Sequence, residues 1–128
     1  MFKILVPVDG SKAALYGVRH AIERAAARPD AVLCLVNVQP RLGRYVGRFV
    51  PARVIRDGMT ARGQRALEDA HRLAASSGVA TRATVLHGNV APVLRRFAVD
   101  EGVSEIVVGA TTKSPLLRDR KSTRLNSS

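Results

Sequence analysis

The sequence lacks the features of a membrane-spanning, disulfide-bonded or zinc-stabilised protein. Only one of its 128 residues is cysteine, Cys34, so neither a disulfide framework nor a structural zinc site of cysteines can form. No apolar run approaches the roughly 18 residues of a membrane-spanning helix, and the first run, residues 4–8, stops at Asp9. These absences disfavour membrane insertion and secretion, so we expect a cytoplasmic protein in which Cys34 is a buried spectator.

Aromatic and acidic residues are also scarce. Phe, Trp and Tyr make up 4% of the chain, which leaves few side chains to stack on a flavin and disfavours an electron-transfer domain. Asp and Glu number 10 against 21 Lys and Arg, and the formal net charge of +11 attracts nucleic acid or acidic surfaces at low salt. The length and the 46% hydrophobic content indicate one globular domain.

Apolar runs alternate with segments of helical periodicity along the chain. Residues 2–8, 31–38 and 104–108 are continuous apolar runs, typical of strands that are buried on both faces. Residues 79–85 alternate instead, which predicts a strand at the edge of the sheet. Helices are predicted after Ser11, from near Val54 to a stop at Ser76 and a left-handed Gly78, and over residues 90–98. This order predicts an open, doubly wound parallel α/β sheet of four strands and three helices, without the closing helix and strand usual for such folds.

Ligands of such sheets bind at the carboxyl ends of strands, so the candidate residues lie in the loops that follow them. Asp9 either contacts a ribose or adenine edge or forms an Asx turn. Ser11 is expected to cap the first helix, and Gly88 with Asn89 to form a turn and cap the third. Residues 109–113 either cradle a phosphate with their backbone amides or form a plain loop. The phosphate-binding patterns of Walker and dinucleotide sites are absent.

Nothing in the sequence assembles a catalytic or metal centre. His20, His71 and His87 are far apart and share no ligand spacing, and no nucleophile, base and orienting group can be grouped by spacing. We therefore expect no metal and no enzymatic activity.

A basic segment, residues 41–56, provides an alternative function. It interleaves aromatic side chains with arginines that could neutralise phosphates and stack on bases: Arg41, Arg44, Tyr45, Arg48, Phe49, Arg53 and Arg56. The segment is either a nucleic-acid-binding arm or a solvated loop, since its Gly43, Gly47 and Pro51 have no clean period.

The last ten residues differ in character from the rest. Residues 119–128 read DRKSTRLNSS and resemble the translation of a widely used sequencing adapter. They have neither helical nor strand periodicity. We expect a domain over residues 1–118 and a non-native, disordered tail over residues 119–128.

Three segments in order along the chain resemble the universal stress protein family: KILVPVDGS at residues 3–11, HGN at residues 87–89 and EIVVG at residues 105–109. The resemblance runs from Met1 to about Leu117. It implies a five-stranded parallel sheet with helices on both faces, of which the last helix and strand are absent here. In the family that last strand commonly helps to form a dimer, which implies a homodimer for the intact parent protein.

The resemblance also implies a small stress-response binding or signalling module. The family contains ATP-binding members and members without the motif that do not bind ATP, so the intact parent protein either takes an adenine nucleotide or acts through protein partners. ATP-binding members use the aspartate after strand one, backbone at the end of strand two and a glycine-rich stretch after strand four. By position these correspond to Asp9, Val38 and Gly109. Thr112 stands where the family has its second glycine. The later pair of a glycine with a serine or threonine would fall on Ser122 and Thr123. A threonine adds a branched side chain where backbone must approach phosphate closely.

Overall fold

The chain alternates strands and helices in the order that the sequence predicts. The computed structural model describes residues 1–41, 50–109 and 122–124. The strands are β1 (Phe2–Pro7), β2 (Ala31–Gln39), β3 (Ala80–His87), β4 (Glu105–Val107) and β5 (Ser122–Arg124). The helices are α1 (Lys12–Ala26), α2 (Ala52–Ser76) and α3 (Val90–Asp100). The predicted α/β class is confirmed.

The sheet has the strand order β3-β2-β1-β4-β5. Strands β1 to β4 are parallel, and β1 lies in the middle, paired with both β2 and β4. The chain winds outward from β1 through β2 to β3 and then crosses back to β4 on the other side of β1. The strand order therefore reverses between β1 and β4, the place where open α/β sheets bind ligands. β3 lies at one edge, as its alternating sequence predicts.

Two hydrophobic cores cover the two faces of the sheet. Alternate residues of β1 and β2, such as Ile4 and Leu33, pack against α1 and α2 on one face. The residues between them, such as Leu5 and Val36, pack with Leu94 of α3 on the other. Both faces of the central strands are covered, which explains why these strands are continuously apolar in sequence.

The helix ends follow local sequence signals. Ser11 is the N-cap of α1, and its Oγ accepts a hydrogen bond from the Ala14 amide at 3.2 Å, which confirms the predicted cap. Gly78 follows α2 with a φ of +81°, which confirms the predicted left-handed glycine. The predicted start of α2 is two residues late, because the helix begins at Ala52, directly after the N-cap Pro51. Proline is compatible with a helix start because the first helical amides need no partner within the helix.

One expectation about the tail is wrong. Ser122–Arg124 forms β5, antiparallel to β4, with Ile106 opposite Thr123. Strand pairing uses backbone amides and carbonyls, so the open edge of β4 can pair with a segment that has no apolar alternation. Residues 119–121 and 125–128 lie outside the described residues, and the domain boundary and the non-native origin of the tail stay predictions.

None of the helices in the described part of the chain combines the length and the apolar character needed to cross a bilayer.

Candidate functional site

A cavity of about 180 Å³ lies at the carboxyl ends of β1 and β2. Asp9 and Val38, two of the predicted site residues, both line it, together with Val108 at the end of β4. Val90 and Leu94 of α3 also line it. The fold thus brings together residues that are separated by up to a hundred positions in sequence, beside the point where the strand order reverses.

Asp9 forms the predicted Asx turn with one carboxylate oxygen, and its other oxygen can still contact a ligand. Its Oδ1 accepts a hydrogen bond from the Ser11 amide at 2.9 Å, which is the predicted Asx turn. Hydrogen bonding by Ser11 lowers the pKa of Asp9 against the opposing effect of partial burial, so the side chain is a carboxylate at neutral pH. Oδ2 does not take part in the bond to the Ser11 amide, and each carboxylate oxygen can accept more than one hydrogen bond, so Oδ2 is available to a ligand hydroxyl.

The backbone groups of Val38 lie past the last pair between β1 and β2, because β2 extends beyond the end of β1. The last pair between the two strands joins Pro7 to Val36, and the Val8 amide then donates to the Val36 carbonyl at 2.8 Å. Backbone groups of a parallel strand point alternately to its two neighbours, so those of Val38 point to the same side as those of Val36. The Val8 carbonyl, which would accept from the Val38 amide, instead accepts from Asn37 Nδ2 at 2.8 Å.

Val38 therefore presents an amide donor and a carbonyl acceptor side by side. Neither group has a hydrogen-bond partner among residues 1–41 and 50–109. On the side of β2 that faces β3 the backbone is paired up to the end of the strand, since the Gln39 carbonyl accepts a hydrogen bond from the Gly88 amide at 2.9 Å. Paired groups of this kind match the edge of a purine that carries an acceptor nitrogen next to an amino donor.

Two buried side-chain amides hold the end of β2 in place, a role that the apolar pattern of this strand does not predict. Asn37 and Gln39 are 3% and 7% exposed, and Gln39 Nε2 donates to Asn37 Oδ1 at 2.8 Å. With the Asn37–Val8 bond they fix the point at which β1 and β2 separate. The available signal was an asparagine inside an otherwise apolar run, because a buried polar side chain needs a partner.

Gly109 has a packing role that the sequence did not indicate. A Cβ at this position would overlap the Ala13 carbonyl oxygen, so only glycine lets the segment after β4 approach the first turn of α1. Its predicted part in phosphate binding stays a prediction. Thr112 and the rest of the predicted loop, residues 110–113, lie outside the described residues.

The loop after β3 matches its prediction in position but not in every bond. Gly88 has a φ of +134° and forms the turn, and Asn89 is the N-cap residue of α3. The Asn89 side chain makes no capping hydrogen bond, so that part of the prediction is wrong. His87 Nε2 lies 3.2 Å from Thr60 Oγ1 of α2, which ties the end of β3 to that helix.

The remaining candidates stay apart from the cavity. His20 and His71 lie on α1 and α2, and no three His, Cys, Asp or Glu residues of the described ranges are grouped to hold a metal ion. Residues 42–49 of the basic segment, with Arg44, Tyr45, Arg48 and Phe49, lie outside the described residues. Arg53 and Arg56 are exposed in the first turns of α2.

Known proteins resemble this chain over most of its length. The model of the universal stress protein family matches residues 1–120. A universal stress protein of Methanocaldococcus jannaschii is 31% identical over 91% of this chain and 68% of its own length. The crystal structure of a universal stress protein family member from Burkholderia pseudomallei is 31% identical, with a TM-score of 0.67 over 87% of this chain and 81% of that chain.

Two more distant solved structures share the fold. A universal stress protein in complex with cAMP is 21% identical, with a TM-score of 0.61 over 86% of this chain and 73% of that chain. A family member from Arabidopsis thaliana with AMP bound is 22% identical, with a TM-score of 0.56 over 85% of this chain and 76% of that chain. The family match over residues 1–120, together with relatives at 31% identity, shows that this chain belongs to the universal stress protein family.

Proposed function

We propose that this chain binds an adenine nucleotide in the cavity between the ends of β1 and β2. The observation that carries the proposal is that Asp9 and Val38, whose backbone groups have no partner in the described part of the chain, line the same cavity. The adenine amino group donates to the Val38 carbonyl, and a ring nitrogen accepts from the Val38 amide. The Asp9 carboxylate accepts a hydrogen bond from a ribose hydroxyl.

The size and lining of the cavity agree with a base rather than a whole nucleotide. Pockets that enclose complete small ligands are about 300–1,000 Å³, and this one is about 180 Å³. Its walls include Val36, Val90, Leu94 and Val108, which suit the apolar faces of a purine. The sugar and the phosphates must therefore lie outside this cavity, beyond the carboxyl edge of the sheet. Gly109 and Thr112 are phosphate-binding residues only by the family pattern.

Two proteins of the same fold support the choice of ligand class, since one is a complex with cAMP and another has AMP bound. ATP, AMP and cAMP share the adenine and ribose that Val38 and Asp9 would contact.

The proposed activity is binding and not catalysis. The Ser11 hydroxyl accepts from the Ala14 amide as a helix cap, and the Asp9 carboxylate holds the adjoining turn. These roles suit a nucleotide-dependent stress-response or signalling module. Cytoplasmic location, homodimerisation of the parent protein and the alternative nucleic-acid-binding role of residues 41–56 stay predictions.

Calorimetric titration with matched nucleotides tests the contact with the base. We expect AMP to bind and IMP to bind at least tenfold more weakly. IMP has a carbonyl in place of the amino group and a protonated ring nitrogen, so it faces the Val38 groups with donor and acceptor exchanged. Equal affinities for AMP and IMP would show that Val38 does not recognise the base. No heat with AMP, ATP or cAMP would refute the nucleotide proposal itself.

A substitution at Asp9 tests the contact with the sugar. Asp9→Asn retains a side-chain oxygen for the Asx turn but removes the charge, and we expect AMP affinity to fall about tenfold. Asp100→Asn is the control, because Asp100 is an exposed carboxylate at the end of α3 and the substitution makes the same change in net charge. The expectation fails if both variants bind AMP equally well.

A further inference from the structure

A second cavity, of about 340 Å³, lies on the other side of the turn that joins β1 to α1. Gly10 and Ser11 of the turn form one wall, and Arg62 and Arg65 of α2 contribute to the opposite wall. Val8 and Ser11 line both this cavity and the β1–β2 cavity, so the two adjoin across the turn. We call the second one the arginine cavity.

The two arginines have no acidic partner in the described part of the chain. Neither Arg62 nor Arg65 lies within 4.0 Å of a described carboxylate, whereas Asp69, which also lines the cavity, forms an ion pair with Arg72 at 3.2 Å. Asp9, on the neighbouring turn, directs Oδ1 to the Ser11 amide. The balance of charge around the cavity therefore favours an anion.

The surrounding backbone adds to this positive field. The first turn of α1 contains no acidic residue and begins with Lys12, although the Asp9 carboxylate, which accepts from the Ser11 amide, offsets part of the positive charge of the helix N-terminus. The same turn lies beside the cavity through its N-cap, Ser11.

The fold brings the turn and α2 together closely enough for one ligand to touch both. Gly10 has a φ of +88°, and a Cβ built on it would lie 3.4 Å from the Cβ of Ala66. Ala66 is the next residue along α2 from Arg65, and Arg62 and Arg65 are three residues apart, so they lie on neighbouring parts of the helix surface. A ligand in the cavity can therefore be held from α2 and from the turn.

We propose that the arginine cavity binds a polyphosphate group through Arg62 and Arg65. Two guanidinium groups supply planar, permanently charged donors that match phosphate oxygens better than lysines would. The volume admits more than a single small ion. Where the polyphosphate is that of a bound nucleotide, the inference rests on the function proposed above, with the base in the adjoining β1–β2 cavity. A free inorganic polyphosphate is the other source of the same chemistry.

Such a site would place the phosphates on a different surface from the glycine-rich stretch of the family pattern. In this chain that stretch carries Thr112 where the pattern has a glycine. Residues of α2 would then take over a role that the family pattern assigns to the segment after β4.

Calorimetry with inorganic tripolyphosphate at fixed ionic strength tests the site without a base. We expect the double variant Arg62→Gln/Arg65→Gln to bind at least tenfold more weakly than the unmodified chain. The control is Arg95→Gln/Arg96→Gln, which removes the same two charges from the exposed surface of α3 on the opposite face of the sheet. We expect less than a twofold effect there, because only the long-range attraction of the net charge changes. Circular dichroism checks that both variants are folded.

Equal losses in the two double variants would overturn the proposal, since they would show non-specific attraction to a chain of net charge +11. The absence of tripolyphosphate binding by the unmodified chain would overturn it as well.

Competition with nucleotides identifies the source of the phosphate. If tripolyphosphate displaces ATP but leaves adenosine affinity unchanged, the cavity holds the phosphates of the nucleotide. If ATP and tripolyphosphate bind independently and tripolyphosphate binding still depends on Arg62 and Arg65, the cavity holds free polyphosphate. Tripolyphosphate binding with no binding of adenosine, AMP or ATP would refute the nucleotide function and leave the arginine cavity supported.

Discussion

Arg24 of α1 and Glu105 of β4 form an ion pair whose disruption has a calculable cost. Arg24 Nε and Nη2 each donate to one oxygen of the Glu105 carboxylate. The Glu105 side chain is 3% exposed and that of Arg24 is 39% exposed. Hydrogen bonding to Glu105 raises the pKa of Arg24, so the arginine stays charged at every accessible pH. The pair therefore compensates a carboxylate that is almost completely removed from water.

Replacement of Arg24 by alanine leaves that carboxylate without its counterion. Loss of one partner of a buried pair costs about 3–5 kcal/mol, and the partial exposure of Arg24, which lets water reach the pair, lowers the expected cost to about 2–3 kcal/mol. With a urea m value of about 1.5 kcal/mol/M, the midpoint of unfolding should fall by about 1.3–2 M. Glu105→Gln in the Arg24→Ala background removes the buried charge and should recover about 1 kcal/mol.

Urea unfolding followed by far-ultraviolet circular dichroism is the suitable assay, because the chain has no tryptophan. Arg96→Ala is the control, since its pair with Asp100 is exposed and the N–O distance is 3.7 Å, and we expect a loss below about 0.5 kcal/mol. If Arg24→Ala cost no more than Arg96→Ala, the Glu105 carboxylate would not depend on its arginine. Failure of Glu105→Gln to restore stability in the Arg24→Ala background would contradict the cost of a buried, unpaired charge.

Three further predictions concern packing, the thiol and pH. Gly63→Ala should lower the free energy of unfolding by about 1–3 kcal/mol, because the added Cβ would lie 2.6 Å from a Val85 methyl group. Gly58→Ala in the same helix meets no neighbouring atom and should raise it by up to about 1 kcal/mol, so urea midpoints that move in the same direction would contradict this prediction. Burial raises the pKa of Cys34, so Ellman's reagent should label it in urea and not in the native protein; rapid native labelling would show that the thiol is accessible. Because the pKa of Asp9 is lower in the folded than in the unfolded chain, Asp9 stabilises the fold above about pH 4, and this stabilisation is lost as pH falls through the folded pKa. Asp9→Asn should therefore weaken the dependence of the free energy of unfolding on pH below about pH 4, and identical profiles for the two proteins would contradict this prediction.

Much of the candidate site could be predicted residue by residue but not as an arrangement. Asp9 was predicted either to bind a ligand or to form an Asx turn, and the turn is present with Oδ2 left available. Val38 was assigned from the family resemblance, yet the reason for its availability is that β2 continues past the last pair with β1. That overhang depends on the register between two strands, which the side-chain pattern of either strand does not specify.

Errors arose where pairing or packing between distant segments overrides local pattern. The three residues of β5 have no strand periodicity, but the edge of β4 offers backbone partners that do not depend on side chains. Gly109 is predicted to lie in a phosphate cradle or in a plain loop, and neither prediction includes the close approach of the Ala13 carbonyl, which requires a glycine there. Both effects involve segments that are close in space and far apart in sequence.

Local sequence patterns specify the α/β class, the approximate bounds of the strands and helices, the Ser11 cap and the edge position of β3. Each follows from interactions within a few neighbouring residues or from whether a strand is buried on one face or two. Three features depend on the folded arrangement of the whole chain. β1 lies in the centre of the sheet, β2 extends past it to Val38, and Arg62 and Arg65 lie across from the β1–α1 turn. These outcomes depend on long-range packing of helices on the sheet, whose energies no local pattern encodes.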